Sequence, residues 1–106
     1  MQGRFLVCGL ALLVTVSPAH ALEGDAEAAK AKMSMCIGCH GIEGYRTSFP
    51  EVYPVPKLGG QYSEYIVAAL QAYKAGERSH PTMRSIAAGL SEQDMADLAA
   101  YYSAER

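Results

Sequence analysis

The chain has no tryptophan, only two phenylalanines against seven tyrosines, and three cysteines in all. It contains no repeat, no basic patch and no run of like charge. Nine lysines and arginines face 11 aspartates and glutamates, for a formal net charge of −2. A nucleic-acid surface needs clustered cations, so this balance argues against nucleic acid as a partner. No segment alternates convincingly between apolar and polar residues at period two. That absence argues against a sheet and for an all-α domain. There is also no second C-x-x-C pair to accompany Cys36 and Cys39.

The N-terminal residues read as an export signal. Arg4 supplies a positive start, and Phe5 to Val16 is an uncharged apolar run. Ser17-Pro18 breaks it, and Ala19-His20-Ala21 offers the small-x-small pattern of a signal-peptidase site. The run is about a dozen residues, short of the roughly 20 a spanning helix requires. The expectation is therefore a signal peptide over 1–21, cleavage after Ala21, a periplasmic product and no membrane anchor. Cys8 makes a poor lipoprotein site, because Val7 stands where a small residue is needed. Loss of the leader removes Arg4 and no acid, leaving 22–106 as one slightly more acidic domain.

A domain this short buries little surface and usually needs a staple. Disulfides are the common one in exported proteins. A bridge between Cys36 and Cys39 would close a very small loop and stabilise little. Something else must complete the core.

Local signals place three main helices. Gly24 to Met35 has good helix formers, acids before bases, and Asp25 as a possible cap. From Gly41 to Gly60, seven glycines and prolines punctuate an irregular stretch, too long to be an idle loop in a compact domain. Ser63 to Ala75 carries an apolar stripe of Tyr65, Ile66, Ala69, Leu70 and Tyr73. Ser63 is a plausible N-cap, and Gly76 sits at the expected stop. Glu77 to Thr82 reads as a polar loop, with a brief helical turn at Arg84 to Ala88. In the last helix, Ser91 to Asp94 forms a capping box ahead of Met95, Leu98, Ala99 and Tyr102.

The stretch "SMCIGCHG", Ser34 to Gly41, holds the chemistry. A structural zinc needs four ligands, and no further residues have the usual spacing. A redox dithiol is expected in a βαβ setting, for which there are no strands. C-x-x-C-H is, however, the attachment signature of c-type haem. On one helical turn Cys36 and Cys39 point to the same side, so both thiols can add to the porphyrin vinyl groups. His40 can then bind iron from below the ring. Attachment follows export, which agrees with the leader, and the haem supplies the missing core.

A histidine-ligated iron has one further position. Met33 and Met35 are tethered too near Cys36 to reach the far face, and Met95 suits core packing. Met83 lies where a loop can cross that face. His80, in the same loop, reads as a polar loop residue. Met83, His80 and an open site all remain as readings of the residues alone.

The chain resembles a class I cytochrome c of the small bacterial periplasmic monohaem kind, and is similar to one half of the dihaem periplasmic cytochromes. Cys36, Cys39 and His40 match the haem motif. "PKLGG", Pro56 to Gly60, is similar to the family's P-x-L-x-G segment. Pro81 to Tyr102 is similar to its ligand loop and closing helix. The resemblance implies a cytochrome c fold around one covalent haem c, with iron held by His40 and Met83. It further implies that the Pro56 carbonyl orients His40, that Leu58 packs on the haem, and that Tyr101 lies where the first and last helices cross. Relatives often place a glycine and an aromatic in the first helix there, whereas this helix offers Ala28, Ala29 and Ala31.

The function expected is one-electron transfer in the periplasm, not enzymatic turnover. Electrons would pass through the haem edge near Cys36 and Cys39, over a small transient interface with redox partners. The acidic balance suits a partner with a basic docking patch. The alternative is a haem subunit held permanently in a larger oxidoreductase. A gas binder or enzyme would require Met83 to be off the iron.

Overall fold

The structure, a computed structural model, describes Leu13, Thr15, residues 22–49 and residues 52–105. The expected leader and its cleavage point after Ala21 lie outside the described residues, apart from Leu13 and Thr15.

Helical order starts at Asp25, whose carboxylate accepts from the backbone N–H groups of Glu27 and Ala28. Helix α1 covers only Ala26–Ala29, and α2 covers Ser34–His40. The single first helix expected over Gly24 to Met35 is therefore divided. At the division the backbone bonds tighten to an i→i+3 pattern, with Lys30 donating to Glu27, Ala31 to Ala28 and Lys32 to Ala29. Residues 30–33 form a turn wound more tightly than an α-helix, and the cysteine motif lies inside α2.

The next helix, α3, runs Ser63–Ala75 as the apolar spacing predicts. Its cap is Tyr62, so Ser63 is the first helical residue and not the cap. Gly76 ends it at φ 78°, a left-handed conformation that suits a residue without Cβ. Helix α4, Pro81–Ala88, begins earlier than the expected turn at Arg84. Pro81 is preset for a first helical position and His80 caps the end. Helix α5, Glu92–Ala104, opens on the capping box, with Ser91 and Asp94 bonding reciprocally at 3.0 and 2.9 Å.

Among the described residues, one small ladder interrupts the all-α plan. Strands β1 (Arg46–Thr47) and β2 (Tyr53–Pro54) pair antiparallel, with Arg46 opposite Pro54 and Thr47 opposite Tyr53. They pinch the glycine- and proline-rich stretch into a hairpin beside the helices.

The core forms along α5. Met95, Leu98, Ala99 and Tyr102 are buried there and cluster with Ala29, Ile66 and Leu90. Met95 and Leu98 are the largest fully buried side chains, each contributing roughly 1.5–3 kcal/mol through burial. Met95 thus takes the core role expected of it. The N-terminal segment crosses α5 at Gly24, where an added Cβ would stand 2.0 Å from the Ala96 carbonyl oxygen. The crossing glycine precedes α1 and does not lie within it. A polar clamp secures the contact. Buried Asp97 accepts from Asp25 N–H at 2.8 Å, Gln93 Nε2 at 2.8 Å and Lys32 Nζ at 2.7 Å. Lys32 also reaches Asp94 at 2.5 Å.

Candidate haem site

A cavity of about 450 Å³ opens between α2, the hairpin, α3 and α4. Cys36 and Cys39 both line it, as free and half-buried thiols. Their three-residue spacing on α2 brings both to one side of the helix. Burial pushes the Cys36 thiol above its ordinary value. A redox dithiol depends on a depressed thiol and an easily formed thiolate, so this environment disfavours that chemistry. Among the described residues, no group of three or more His, Cys, Asp or Glu converges to hold a metal ion.

His40 ends α2 and faces the same cavity. Its Nδ1 lies 2.7 Å from the Pro56 carbonyl oxygen. A carbonyl can only accept, so Nδ1 carries the proton and donates. The tautomer leaves Nε2 with its lone pair available to a metal. Pro56 is held just beyond β2, and Val55 N–H donates to the Tyr45 carbonyl at 2.9 Å. The hairpin therefore fixes the acceptor that fixes the imidazole. Leu58, two residues on, is half-buried, lines the cavity and packs on the core.

Met83 enters from α4. It is the third residue of that helix, half-buried, and lines the cavity. The expected free loop at this point is instead an ordered helical first turn. His80 differs from expectation in the same way. Its ring is half-buried, lines the cavity and makes edge contacts with Tyr53 at 5.1 Å and Tyr73 at 6.2 Å between centroids. The other methionines lie elsewhere: Met35 is half exposed at the cavity rim, Met33 packs on the core, and Met95 is fully buried.

The walls match a flat apolar group carrying carboxylates. Ile66, Leu70, Ile86, Leu90 and Leu98 supply apolar surface. Among the described residues, the charged side chains lining the cavity are Lys57 and Arg78, both cations, with no acid beside them. Two thiols on one helical face, an imidazole with a free Nε2 and a thioether complete a donor set that fits haem c. Tyr102 was missed as a site residue. It lines the cavity, and its hydroxyl is buried without a hydrogen-bond partner among the described residues. Burial, with smaller contributions from Cys36, Glu105 and Tyr101, pushes its phenol up to about 12. Tyr101, the aromatic singled out by resemblance, is half-buried and packs edge-on to Tyr102 at 5.1 Å.

The family model for cytochrome c matches residues 26–103. Cytochrome c-554(548) of Halomonas halodenitrificans is 39% identical over 85 residues, covering 77% of this chain and 98% of that protein. Cytochrome c4 of Pseudomonas aeruginosa is 37% identical over 105 residues, covering 99% of this chain but 50% of the relative. The solved reduced cytochrome c4 of Pseudomonas stutzeri superposes with a TM-score of 0.63 at 37% identity, over 78% of this chain and 46% of that one. More distantly, the cytochrome subunit of sulfide dehydrogenase from Chlorobaculum tepidum is 33% identical over 63% of this chain and 56% of that subunit.

These matches, with the cavity and its donor set, define a c-type electron-transfer protein with covalent haem c on Cys36 and Cys39. The chain belongs to the cytochrome c family. It spans about half the length of its cytochrome c4 relatives and is similar to one half of that dihaem protein.

Proposed function

We propose that this chain is a one-electron carrier of the periplasm, with His40 and Met83 as the two axial ligands to iron. The observation that carries the reading is the 2.7 Å contact between His40 Nδ1 and the Pro56 carbonyl, made beside a cavity that Met83 also lines. Haem iron supplies the chemistry by alternating between ferric and ferrous states. The protein's contribution is to hold both axial positions and to keep water from the metal.

Each residue has a distinct task. Cys36 and Cys39 anchor the porphyrin edge. Pro56 orients His40 and raises its basicity. Leu58 packs beside the ring. Met83, as a thioether, favours the ferrous state relative to a second imidazole. With His40 and Met83 holding the iron, no position on it would be left for a substrate, and electrons would pass at the porphyrin edge held by Cys36 and Cys39. Exposed Met35 and Ile37 flank Cys36 on α2 and give that edge an apolar border. A small transient interface suits such a border. The acidic net charge favours a partner presenting a basic patch, and the rate of electron transfer should then fall as salt is added. The leader over 1–21, cleaved after Ala21, brings the chain to the compartment where haem is attached.

The test is the visible spectrum of the exported protein, oxidised and reduced. A low-spin reduced c-type spectrum, with a weak iron–sulfur charge-transfer band in the oxidised form, is expected. A high-spin spectrum would overturn the ligand assignment. A second reading, a haem subunit held in a larger oxidoreductase, is supported by the similarity to a sulfide dehydrogenase subunit. Co-purification with a stable larger partner would favour it over a free carrier.

A further inference from the structure

Helix α4 carries Met83 and is capped in an unusual way. Helix N-caps are ordinarily Ser, Thr, Asp or Asn, whose short side chains reach the orphan N–H groups of the first turn. Here the cap is His80, in extended conformation at φ −152° and ψ 103°. Its Nδ1 accepts from the backbone N–H of Met83 at 3.2 Å. The capped residue is thus the proposed ligand itself, and no other residue of that turn receives this bond. Pro81 fixes the intervening backbone.

The His80 ring does not float. Tyr53 of β2 meets it edge-on at 5.1 Å and Tyr73 of α3 at 6.2 Å. The Arg78 guanidinium in turn covers the Tyr73 ring at 4.6 Å. One imidazole therefore ties α4 to the hairpin and to α3. The hairpin is also the segment that leads into Pro56, the acceptor for His40.

We infer that His80 is a positioning residue for Met83: its side chain holds the Met83 backbone by capping α4. The inference rests on Met83 being the axial ligand. Removal of the cap would loosen the first turn and make Met83 easier to displace from iron.

The experiment measures the affinity of the ferric holoprotein for added imidazole, together with the iron–sulfur charge-transfer band. Wild type, His80→Ala and His80→Asn are compared. Loss of a cap shifts such a balance by roughly five-fold, so His80→Ala should bind imidazole about that much more tightly. Asn is a good cap without the ring, so His80→Asn should stay close to wild type. If His80→Ala does not accumulate as a haem protein, His80→Phe, which keeps an aromatic ring beside Tyr53 and Tyr73 but has no acceptor for the Met83 N–H, takes its place with the same expected increase, and unchanged affinity in it overturns the inference. Unchanged affinity in His80→Ala, or an equal increase in both variants, overturns the inference while leaving Met83 as ligand. A wild-type protein without the charge-transfer band overturns the ligand assignment and this inference together.

Discussion

Gly24 and Ala96 touch backbone to backbone: an added Cβ on Gly24 would lie 2.0 Å from the Ala96 carbonyl oxygen and 2.6 Å from its carbonyl carbon. No flexible side chain can move aside there, because the obstructing atoms belong to the main chain of α5. Gly24→Ala should therefore separate the N-terminal segment from α5, at a cost of about 1–3 kcal/mol typical of overpacking. Thermal unfolding of the holoprotein would show the lower midpoint. The visible spectrum should stay unchanged, since neither residue lines the haem cavity.

The same crossing has a defined acid sensitivity. Lys32 holds the Asp94 carboxyl at about 2, against an ordinary 3.8, and the Ser91 backbone N–H adds to the effect. Lys32, the Asp25 N–H and Gln93 likewise lower Asp97. Both carboxyls bind protons less readily when folded than when unfolded. The contribution of Asp94 is present above about pH 4 and disappears as the pH falls toward its folded value of about 2, and that of Asp97 is lost in the same direction. Replacing Lys32 with Met should flatten the stability profile between pH 4 and 2, measured by denaturant unfolding across that range. Asp97→Asn should cost about 1–3 kcal/mol at neutral pH, because buried donors lose a charged acceptor.

Much of this architecture is written in local sequence. Helices α3 and α5 follow from an apolar stripe, a capping box and Gly76, all within a turn of the elements they bound. The C-x-x-C-H motif is similarly local, whereas Met83, expected on a loop, stands in the first turn of α4. What escaped depends on distant partners. The tightened turn after α1 accompanies Lys32 reaching Asp94 and Asp97, 62 and 65 residues away. Gly24 matters only through α5. The early start of α4 had one visible sign, Pro81, but its cap is a histidine, and histidine is not a residue whose presence signals a helix start. The two-residue ladder contains Pro54 and is too short to show a period. Tyr102 read simply as a member of the α5 stripe. Its place at the cavity depends on the PKLGG segment meeting α5, where Gly60 N–H donates to the Tyr102 carbonyl at 2.9 Å.

Tyr102 gives an alkaline counterpart to the acid prediction. Its phenol is pushed up to about 12 from an ordinary 10.0, chiefly by burial. The unfolded chain therefore ionises this group first. The stability it contributes is complete below pH 10 and is lost as the pH rises toward 12. Tyr102→Phe removes the buried hydroxyl together with a donor left unpaired among the described residues, so stability at neutral pH should change by no more than about 1 kcal/mol. Between pH 10 and 12 the variant should hold its stability better than wild type. Denaturant unfolding at a series of alkaline pH values would measure both.

The most direct chemical prediction concerns Met83. Leucine preserves most of its volume but has no sulfur to offer a metal. Met83 is only half-buried, so Met83→Leu should fold with little loss, under about 1.5 kcal/mol for a volume-conserving exchange. The ferric charge-transfer band should vanish, and the reduced protein should bind carbon monoxide at neutral pH, which wild type should not. The reduction potential should fall, because thioether ligation favours ferrous iron. His80 lines the same cavity and provides an internal control. If His80 were the ligand, Met83→Leu would leave the spectrum and the carbon monoxide response as they are in wild type. In that case the imidazole capping α4 would have to leave the Met83 N–H to reach iron. The two assignments thus make opposite predictions for one variant.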